Sequence, residues 1–112
     1  MRYSPVIFKI IKEIEHDCTA DYTIKQLAHK NRINPDYLGK LFKKEVMENF
    51  NQYLNNARIA KSRQFLENTG MKIADISRAV GYDNVNYFST LFKNMTKMTP
   101  QEYRSVHTGT QI

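Results

Sequence analysis

Two segments of the sequence, fifty positions apart, repeat the same order of aromatic, aliphatic and basic residues. Residues 37–44 read YLGKLFKK and residues 87–94 read YFSTLFKN. On a helix that turns by about 100° per residue, the aliphatic and phenylalanine positions gather on one side and the polar and basic positions on the other. Polar and basic side chains in such a row are suited to hydrogen bonding with base edges and to pairing with phosphate.

The outward faces of the repeats contain residues that could read bases and lysines that could contact phosphate. Lysine can read guanine acceptors and asparagine can pair with adenine, so Lys40 and Asn86 are candidates for base reading. The lysines Lys43, Lys44 and Lys93 are predicted to contact phosphate, which provides affinity without sequence preference. The outward positions given by the helical wheel are Asp36, Gly39, Lys40 and Lys43 in the first repeat and Asn86, Ser89, Thr90 and Lys93 in the second.

Several candidate residues also have ordinary structural interpretations. Asp36 either accepts from cytosine or favours the helix N-terminus through the helix dipole, and the second role is the commoner one. Lys43 and Lys44 could form only a solvated face, although Lys93 repeats their placement. Arg58 could reach a phosphate or tie the two halves of the chain together, and the sequence does not separate these roles.

The aromatic residues of the repeats are Tyr37, Phe42, Tyr87 and Phe92. They could act as stacking platforms for a single strand of nucleic acid. Aromatic residues at helical spacing are far more often part of the core. We therefore predict that all four residues are structural.

Capping signals locate the helices that must position these faces. A cap residue, often followed by proline at the first helical position or by Glu or Gln three residues later, marks a helix N-terminus. Residues 50–68 contain neither proline nor glycine and predict one long helix, and residues 73–80 predict a short one that is followed by Gly81. The helix starts predicted from caps are Ser4-Pro5, Thr23, Asn34-Pro35, Asn84 and Thr99-Pro100.

These elements predict an all-α fold of about seven helices, with two tandem helix-turn-helix subdomains joined by a long linker helix. We assign residues 1–49 to an N-terminal helix and the first helix-turn-helix, 50–68 to the linker helix, 69–106 to the second helix-turn-helix and 107–112 to a tail. A linker of nineteen residues is roughly 28 Å long. With the width of a helix added, this length approaches one turn of DNA, so two recognition helices of one chain are predicted to enter successive major grooves at an asymmetric site.

The composition favours a polyanionic partner and a protein without catalytic activity. Among 112 residues, 17 are Lys or Arg and 11 are Asp or Glu, which leaves a formal charge of +6. Nucleic acid is the first candidate partner and an anionic membrane surface the second. One cysteine and three scattered histidines predict neither a disulfide nor a metal site, so we expect no cofactor and a reducing cytoplasm. No nucleophile–base pair, carboxylate pair or phosphate-binding glycine loop is recognisable, so the chain is not expected to be an enzyme.

The order and spacing of these residues resemble the DNA-binding domain of AraC/XylS-type transcription regulators, from about Ile24 to Arg104. The motifs that carry the resemblance are Leu27-Ala28, Pro35-Asp36-Tyr37-Leu38, Leu41-Phe42-Lys43-Lys44-Glu45, Tyr53-Leu54, Arg58-Ile59, Val80-Gly81-Tyr82, Tyr87-Phe88, Leu91-Phe92-Lys93 and Thr99-Pro100-Gln101-Glu102-Tyr103-Arg104. The resemblance implies a seven-helix fold of two subdomains that binds promoter DNA and usually activates transcription by contacting RNA polymerase. It adds Val85 to the base-reading positions that the helical wheel gives.

The sequence departs from the family pattern at a few positions. Met47 and Lys97 stand where the family usually has glycine, which questions the geometry of the loops there. Ser77 replaces a small apolar residue, and Thr90 stands where arginine is common. Because Gly39 has no side chain and Thr90 has only a short one, base specificity is expected to be shallow or to depend on DNA shape.

The opening segment resembles the start of this module in response regulators. We therefore expect the chain to be the C-terminal part of a longer regulator, with Met1 introduced for expression. The isolated domain is expected to be monomeric, and the full-length protein to dimerise through a domain outside this chain.

A helical module that binds an acidic protein partner is the alternative interpretation. Binding grooves for partner helices use apolar anchors, whereas the face repeated in this sequence is polar and basic. This contrast favours DNA as the partner.

Overall fold

The computed structural model describes residues 2–107, and within that range it consists of seven α-helices without a β-strand. The helices are α1 (Pro5–His16), α2 (Ile24–Lys30), α3 (Pro35–Val46), α4 (Phe50–Asn68), α5 (Ile73–Ala79), α6 (Val85–Thr96) and α7 (Pro100–His107). This architecture confirms the predicted all-α fold. His107, predicted to begin the tail, is the last residue of α7, whereas the rest of the tail and Met1 lie outside the described residues. No helix in the described range has the length and apolarity that crossing a membrane requires.

Asparagine side chains close the N-termini of α3 and α6 in the same way. The backbone N–H of Tyr37 donates to Asn34 Oδ1 at 3.1 Å, and the backbone N–H of Tyr87 donates to Asn84 Oδ1 at 3.0 Å. Each bond satisfies one of the N–H groups that a helix start leaves without an internal partner. The two caps therefore fix where both helices begin.

The predicted capping box of α7 is present, but Ser4 does not cap α1. The backbone N–H of Glu102 donates to Thr99 Oγ1 at 3.1 Å, and the N–H of Thr99 donates back to Glu102 Oε1 at 2.9 Å. At α1, the side chain of Ser4 makes no capping hydrogen bond. Its hydroxyl and its backbone N–H instead donate to the carboxylate of Glu45 and thereby link the start of α1 to the end of α3. These two bonds, the one from the hydroxyl first, hold the pKa of Glu45 below its ordinary value.

The helices form two compact units that divide after Ala57, inside α4. Burial of each large apolar side chain in their cores contributes about 1.5–3 kcal/mol. The core of the first unit contains Ile7, Ile10, Ile11, Ile14, Leu27, Leu38, Phe42, Phe50 and Leu54. The core of the second unit contains Ile59, Leu66, Ile76, Val80, Tyr82, Phe88, Phe92 and Tyr103. The long helix α4 therefore supplies apolar residues to both cores.

Equivalent aromatic pairs anchor α3 and α6 to the helices that follow them. The rings of Phe42 and Tyr53 are 5.4 Å apart at 71°, and those of Phe92 and Tyr103 are 5.4 Å apart at 82°. Such T-shaped pairs contribute about 0.5–1.5 kcal/mol beyond their burial. Burial, and then the hydrogen bond that its hydroxyl donates to Glu67, raises the pKa of Tyr103 to about 12.

The turns that precede α3 and α6 have matching backbone hydrogen bonds. The N–H of Ile33 donates to the carbonyl of Ala28 at 3.0 Å, and the N–H of Tyr82 donates to the carbonyl of Ser77 at 2.9 Å. These bonds are typical of a Schellman motif, in which a left-handed residue ends the preceding helix. The left-handed residues are Arg32, with φ of 57°, in the first turn and Gly81, with φ of 104°, in the second.

α3 and α6 end in the same backbone conformation. Met47 and Lys97 follow the last helical residues, and both are left-handed with φ of 72°. The loop geometry that glycine serves in the family is therefore retained with larger residues. A residue with a Cβ atom pays roughly 1–2 kcal/mol for this conformation.

Candidate nucleic-acid interface

The outward face of α3 combines positive charge with a central position that has no side chain. Lys40, Lys43 and Lys44 are exposed, and so is Asp36 in the first turn. Gly39 is half-buried, and a Cβ atom placed on it would meet no neighbouring heavy atom within 4 Å. The face therefore offers ammonium groups around an open space.

The equivalent face of α6 carries mostly uncharged polar groups. Asn86, Thr90 and Lys93 are exposed, whereas Val85 and Ser89 are half-buried. An amide and two hydroxyls provide both hydrogen-bond donors and hydrogen-bond acceptors. The base edges in a major groove also carry donors and acceptors, so the two sets can pair. The residues that the sequence predicts on α3 and α6 thus all lie on the outer sides of these helices.

Within the part of the chain that the structure describes, the lysines of the two faces form no close ion pair with an acidic side chain, although the charge of Lys44 acts on Glu45 and that of Lys93 acts on Glu102. Ion pairs shorter than 4.0 Å within residues 2–107 include Lys12–Glu15, Lys30–Glu13 and Arg78–Asp75. None of these pairs uses a lysine of α3 or α6. Contact between these lysines and phosphate would therefore break no ion pair within the described chain.

Arg58 does not lie where a phosphate contact would need it. It is only 8% exposed, and its guanidinium carbon lies 5.3 Å from the centre of the Tyr82 ring. A Cβ atom placed on Gly81 would come within 2.9 Å of the same carbon. The predicted phosphate contact of Arg58 is therefore corrected to a structural role, in which the guanidinium packs against the turn before α6.

The prediction that Tyr37 and Tyr87 belong to the core is wrong, whereas Phe42 and Phe92 are fully buried as predicted. The two tyrosines are 59% and 54% exposed, respectively. Tyr37 precedes Lys44 by seven residues, so the two residues lie on the same side of α3. This spacing is visible in the sequence and indicates the exposed position, while residue type alone indicates the core.

The departure from the family pattern at Ser77 has a structural explanation. Ser77 is fully buried, and its hydroxyl donates to the carbonyl of Tyr82 at 2.7 Å. Ala28 stands at the corresponding position of the first unit and makes no such bond, because it has no hydroxyl. The turn before α6 contains one residue more than the turn before α3, and the Ser77 hydroxyl holds the carbonyl of Tyr82 within it.

The remaining surface of the described chain contains no grouping suited to a metal ion. Across residues 2–107, no three His, Cys, Asp or Glu side chains come together as a possible metal site. A groove of about 640 Å³ lies beside α1, where Phe8, Lys9 and His16 line it. None of the residues predicted to contact DNA lines this groove.

Comparisons with known proteins match the chain over most of its length. The sequence model of a family described as a helix-turn-helix domain matches residues 27–105. The transcriptional regulatory protein YesN of Bacillus subtilis (strain 168) is 36% identical over 110 residues, which is 95% of this chain and 30% of YesN. The HTH-type transcriptional activator RhaR of Yersinia pseudotuberculosis serotype O:1b (strain IP 31758) is 27% identical over 95 residues, which is 85% of this chain and 33% of RhaR. The chain therefore spans about a third of the length of these relatives.

A solved structure matches the fold closely. The C-terminal domain of AraT, a response regulator from Geobacillus stearothermophilus, has a TM-score of 0.91 and 30% sequence identity. The match covers 99% of this chain and 93% of that domain. The matched proteins are described as regulators, in agreement with the prediction that the chain is not an enzyme.

Proposed function

Since the chain belongs to the AraC/XylS-type helix-turn-helix family of DNA-binding transcription regulators, we propose that α3 and α6 are its recognition helices and that each enters a major groove of promoter DNA. The recurrence of an exposed polar face at equivalent positions of the two helices, fifty residues apart, carries this proposal. The proposed base-reading residues are Asp36, Gly39, Lys40, Val85, Asn86, Ser89 and Thr90. The proposed phosphate-binding residues are Lys43, Lys44 and Lys93.

Affinity and sequence preference are assigned to different residues within each face. Lys40 reads guanine acceptors, and Asn86 pairs with the exposed edge of adenine. Lys43 and Lys93, near the ends of their helices, pair with phosphate and release condensed counterions. Binding should therefore depend strongly on salt, while its preference for particular base pairs comes from the base-reading residues of both helices.

Two substitutions test this division. Lys43→Ala is expected to weaken binding to all duplexes alike and to reduce the slope of log affinity against log salt by about one. Asn86→Ala is expected to relax the preference at one base pair by about 1–3 kcal/mol. Both effects are measured by titrating the variants against a preferred duplex and its single-base-pair variants at several salt concentrations.

Lys9→Ala provides the matched control for the loss of one positive charge. Lys9 is exposed on α1, on neither recognition helix, so its loss should leave the salt slope unchanged. If Lys9→Ala and Lys43→Ala lower the slope equally, the charge effect is general and the assignment of Lys43 is wrong. A wild-type affinity that does not fall with salt would refute DNA binding through these lysines.

We further propose that the two recognition helices enter successive major grooves of one duplex. The length of α4 supports this proposal, because its 19 residues extend over roughly 28 Å. Hydroxyl-radical footprinting should then give two protected segments about one helical turn apart, within an asymmetric site. A single protected segment would contradict the two-groove arrangement.

In the cell, the protein is proposed to activate transcription through contact with RNA polymerase in the cytoplasm. The relative RhaR is described as an activator, which supports this direction of regulation. Transcription in vitro from a template that carries the bound site should rise when the chain, joined to any further domains of its natural protein, is added. We expect the isolated chain to sediment as a monomer and the longer protein to dimerise through its additional domain.

A further inference from the structure

Two exposed tyrosines occupy the same place on α3 and α6. Tyr37 and Tyr87 are each the third residue of their helix, and they are 59% and 54% exposed. The phenylalanines of the same helices, Phe42, Phe88 and Phe92, are fully buried. One exposed ring is ordinary on a protein surface, but a repeated one at equivalent positions indicates a shared role.

The hydroxyls of these two tyrosines are available for an external acceptor. Within residues 2–107, neither hydroxyl has a hydrogen-bond partner. Two other tyrosine hydroxyls are used internally, because Tyr22 donates to the carbonyl of Asp17 at 2.6 Å and Tyr103 donates to a carboxylate. Tyr37 and Tyr87 therefore present free phenol donors on the recognition helices.

Each tyrosine lies at the N-terminal end of its helix. In helix-turn-helix proteins, this end of the recognition helix approaches DNA. The caps Asn34 and Asn84 hold the backbone N–H groups of Tyr37 and Tyr87. Long side chains on a helix lean toward its N-terminus, so each phenol lies over the first turn. This end of a recognition helix is close to base edges and to the DNA backbone.

Tyr37 lies on the flank of the α3 face rather than at its centre. It precedes Lys40 by three residues and Lys44 by seven, which places all three along one side of the helix. Lys44 is itself a proposed phosphate contact. The phenol therefore points along the side of the helix where the sugar-phosphate backbone is expected.

In the second unit, a stack of side chains holds the exposed ring in place. The rings of Tyr87 and Tyr82 lie 5.7 Å apart, and Tyr82 is only 7% exposed. The guanidinium of Arg58 lies against the Tyr82 ring. The buried Arg58 thus supports, through Tyr82, the ring that presents the Tyr87 hydroxyl.

We propose that the hydroxyls of Tyr37 and Tyr87 each donate a hydrogen bond to a phosphate oxygen beside the groove that their helix enters. This inference rests on the proposed function. Tyrosine is among the side chains that contact phosphate in protein–DNA complexes and fix the register of the protein on the duplex. Because phenol is neutral, its bond to phosphate adds affinity without releasing a counterion. The tyrosines therefore differ from the lysines in leaving the salt dependence unchanged.

The variants Tyr37→Phe and Tyr87→Phe remove only the hydroxyls. Each is expected to weaken binding by about three- to tenfold, equally on preferred and unrelated duplexes. The slope of log affinity against log salt should stay at its wild-type value. In a duplex with a single methylphosphonate at the contacted phosphate, wild-type binding should weaken, while the corresponding Phe variant should show little further loss.

Tyr22→Phe is the matched control, because its hydroxyl is bound inside the first unit and its loss should leave DNA affinity unchanged. If the wild-type chain binds no duplex, the proposed function itself fails. If it binds with a steep salt slope and both Phe variants bind like wild type, the function stands and the tyrosine inference is wrong. Loss of affinity in Tyr37→Ala and Tyr87→Ala but not in the Phe variants would assign the contact to the ring and overturn the hydroxyl bond.

Discussion

The two helix-turn-helix units share a framework and differ in the chemistry that the framework presents. Asparagine caps, T-shaped aromatic pairs and left-handed residues at the helix ends recur at equivalent positions. The face of α3 has three exposed lysines around a glycine, whereas the face of α6 has an amide, two hydroxyls and one exposed lysine. Since the framework persists while the faces change, the core and the caps determine the fold and leave the outward positions free to set the partner chemistry.

The turns that lead into α3 and α6 differ in how they are held. In the first unit, a non-glycine residue, Arg32, takes the left-handed conformation. In the second unit, Gly81 takes it, with Arg58 packed closely against it and the Ser77 hydroxyl bound to the turn. The left-handed residue of the second turn is therefore packed against specific side chains, whereas in the first turn the side chain of Asn31 donates to the carbonyl of Leu27 at 2.8 Å beside the backbone bonds.

Substitution of the left-handed residues is expected to give the largest difference in stability between the two units. Gly81→Ala should destabilise the second unit by roughly 1–3 kcal/mol, because its Cβ atom would be strained at φ of 104° and would meet Arg58. Arg32→Ala is the matched change in the first unit, and it should alter stability by less than about 0.5 kcal/mol. Urea unfolding combined with amide hydrogen exchange of α2 and α5 measures both effects. Equal losses in the two units would contradict the distinction drawn between their turns.

Glycine just after the C-termini of α3 and α6 should stabilise both units alike. Met47→Gly and Lys97→Gly are each expected to add about 0.5–1 kcal/mol, because relief of the left-handed conformation exceeds the extra chain entropy of glycine. The midpoint of thermal or urea unfolding reports the gain. Met47→Ala, which keeps a Cβ atom, should show no comparable gain. A gain in only one unit would mean that the two helix ends are not equivalent.

Lowering the pH should weaken the hydrogen bonds by which Ser4 and Glu45 link α1 to α3. This is the smallest of the expected effects. Hydrogen bonds from Ser4 lower the pKa of Glu45 in the folded state, so the ionised carboxylate stabilises the first unit above its ordinary pKa of 4.5. This stabilisation is lost as the pH falls through the lowered folded value. The corresponding position of the second unit is Met95, which does not titrate.

Glu45→Gln should therefore reduce the acid sensitivity of hydrogen exchange in α1 and α3. In the second unit, the hydrogen bond from the Thr99 N–H, and to a lesser degree the one from its hydroxyl, lowers the pKa of Glu102. Glu102→Gln should therefore reduce the acid sensitivity of hydrogen exchange in α7. If Glu45→Gln leaves the acid sensitivity of α1 unchanged, the Ser4–Glu45 link contributes nothing to the stability of the first unit.

Local sequence signals were sufficient to predict the helices and most of the candidate faces. The caps Asn34 and Asn84 act within three residues, and the fifty-residue repeat relates α3 to α6 directly. Buried positions such as Phe42 and Phe92 follow from helical periodicity. Each of these features depends on neighbours close in sequence, so each can be read before any tertiary contact is known.

The features that the sequence did not reveal depend on distant contacts. The acceptor of the Ser4 hydroxyl, Glu45, lies 41 residues away. Arg58 carries a positive charge that suggests a phosphate partner, yet Tyr82 and Gly81 bury it. Tertiary packing decided both of these cases. The exposure of Tyr37 is different, because its spacing from Lys44 indicates it in the sequence and only the residue type gave the opposite answer.

The empty space above Gly39 makes this one position of the α3 face open to redesign. A Cβ atom at this site would meet no heavy atom within 4 Å, so alanine fits there without displacing a neighbour. Under the proposed function, one substitution at Gly39 would therefore add a side chain at a base-reading position of α3 without disturbing the helices around it.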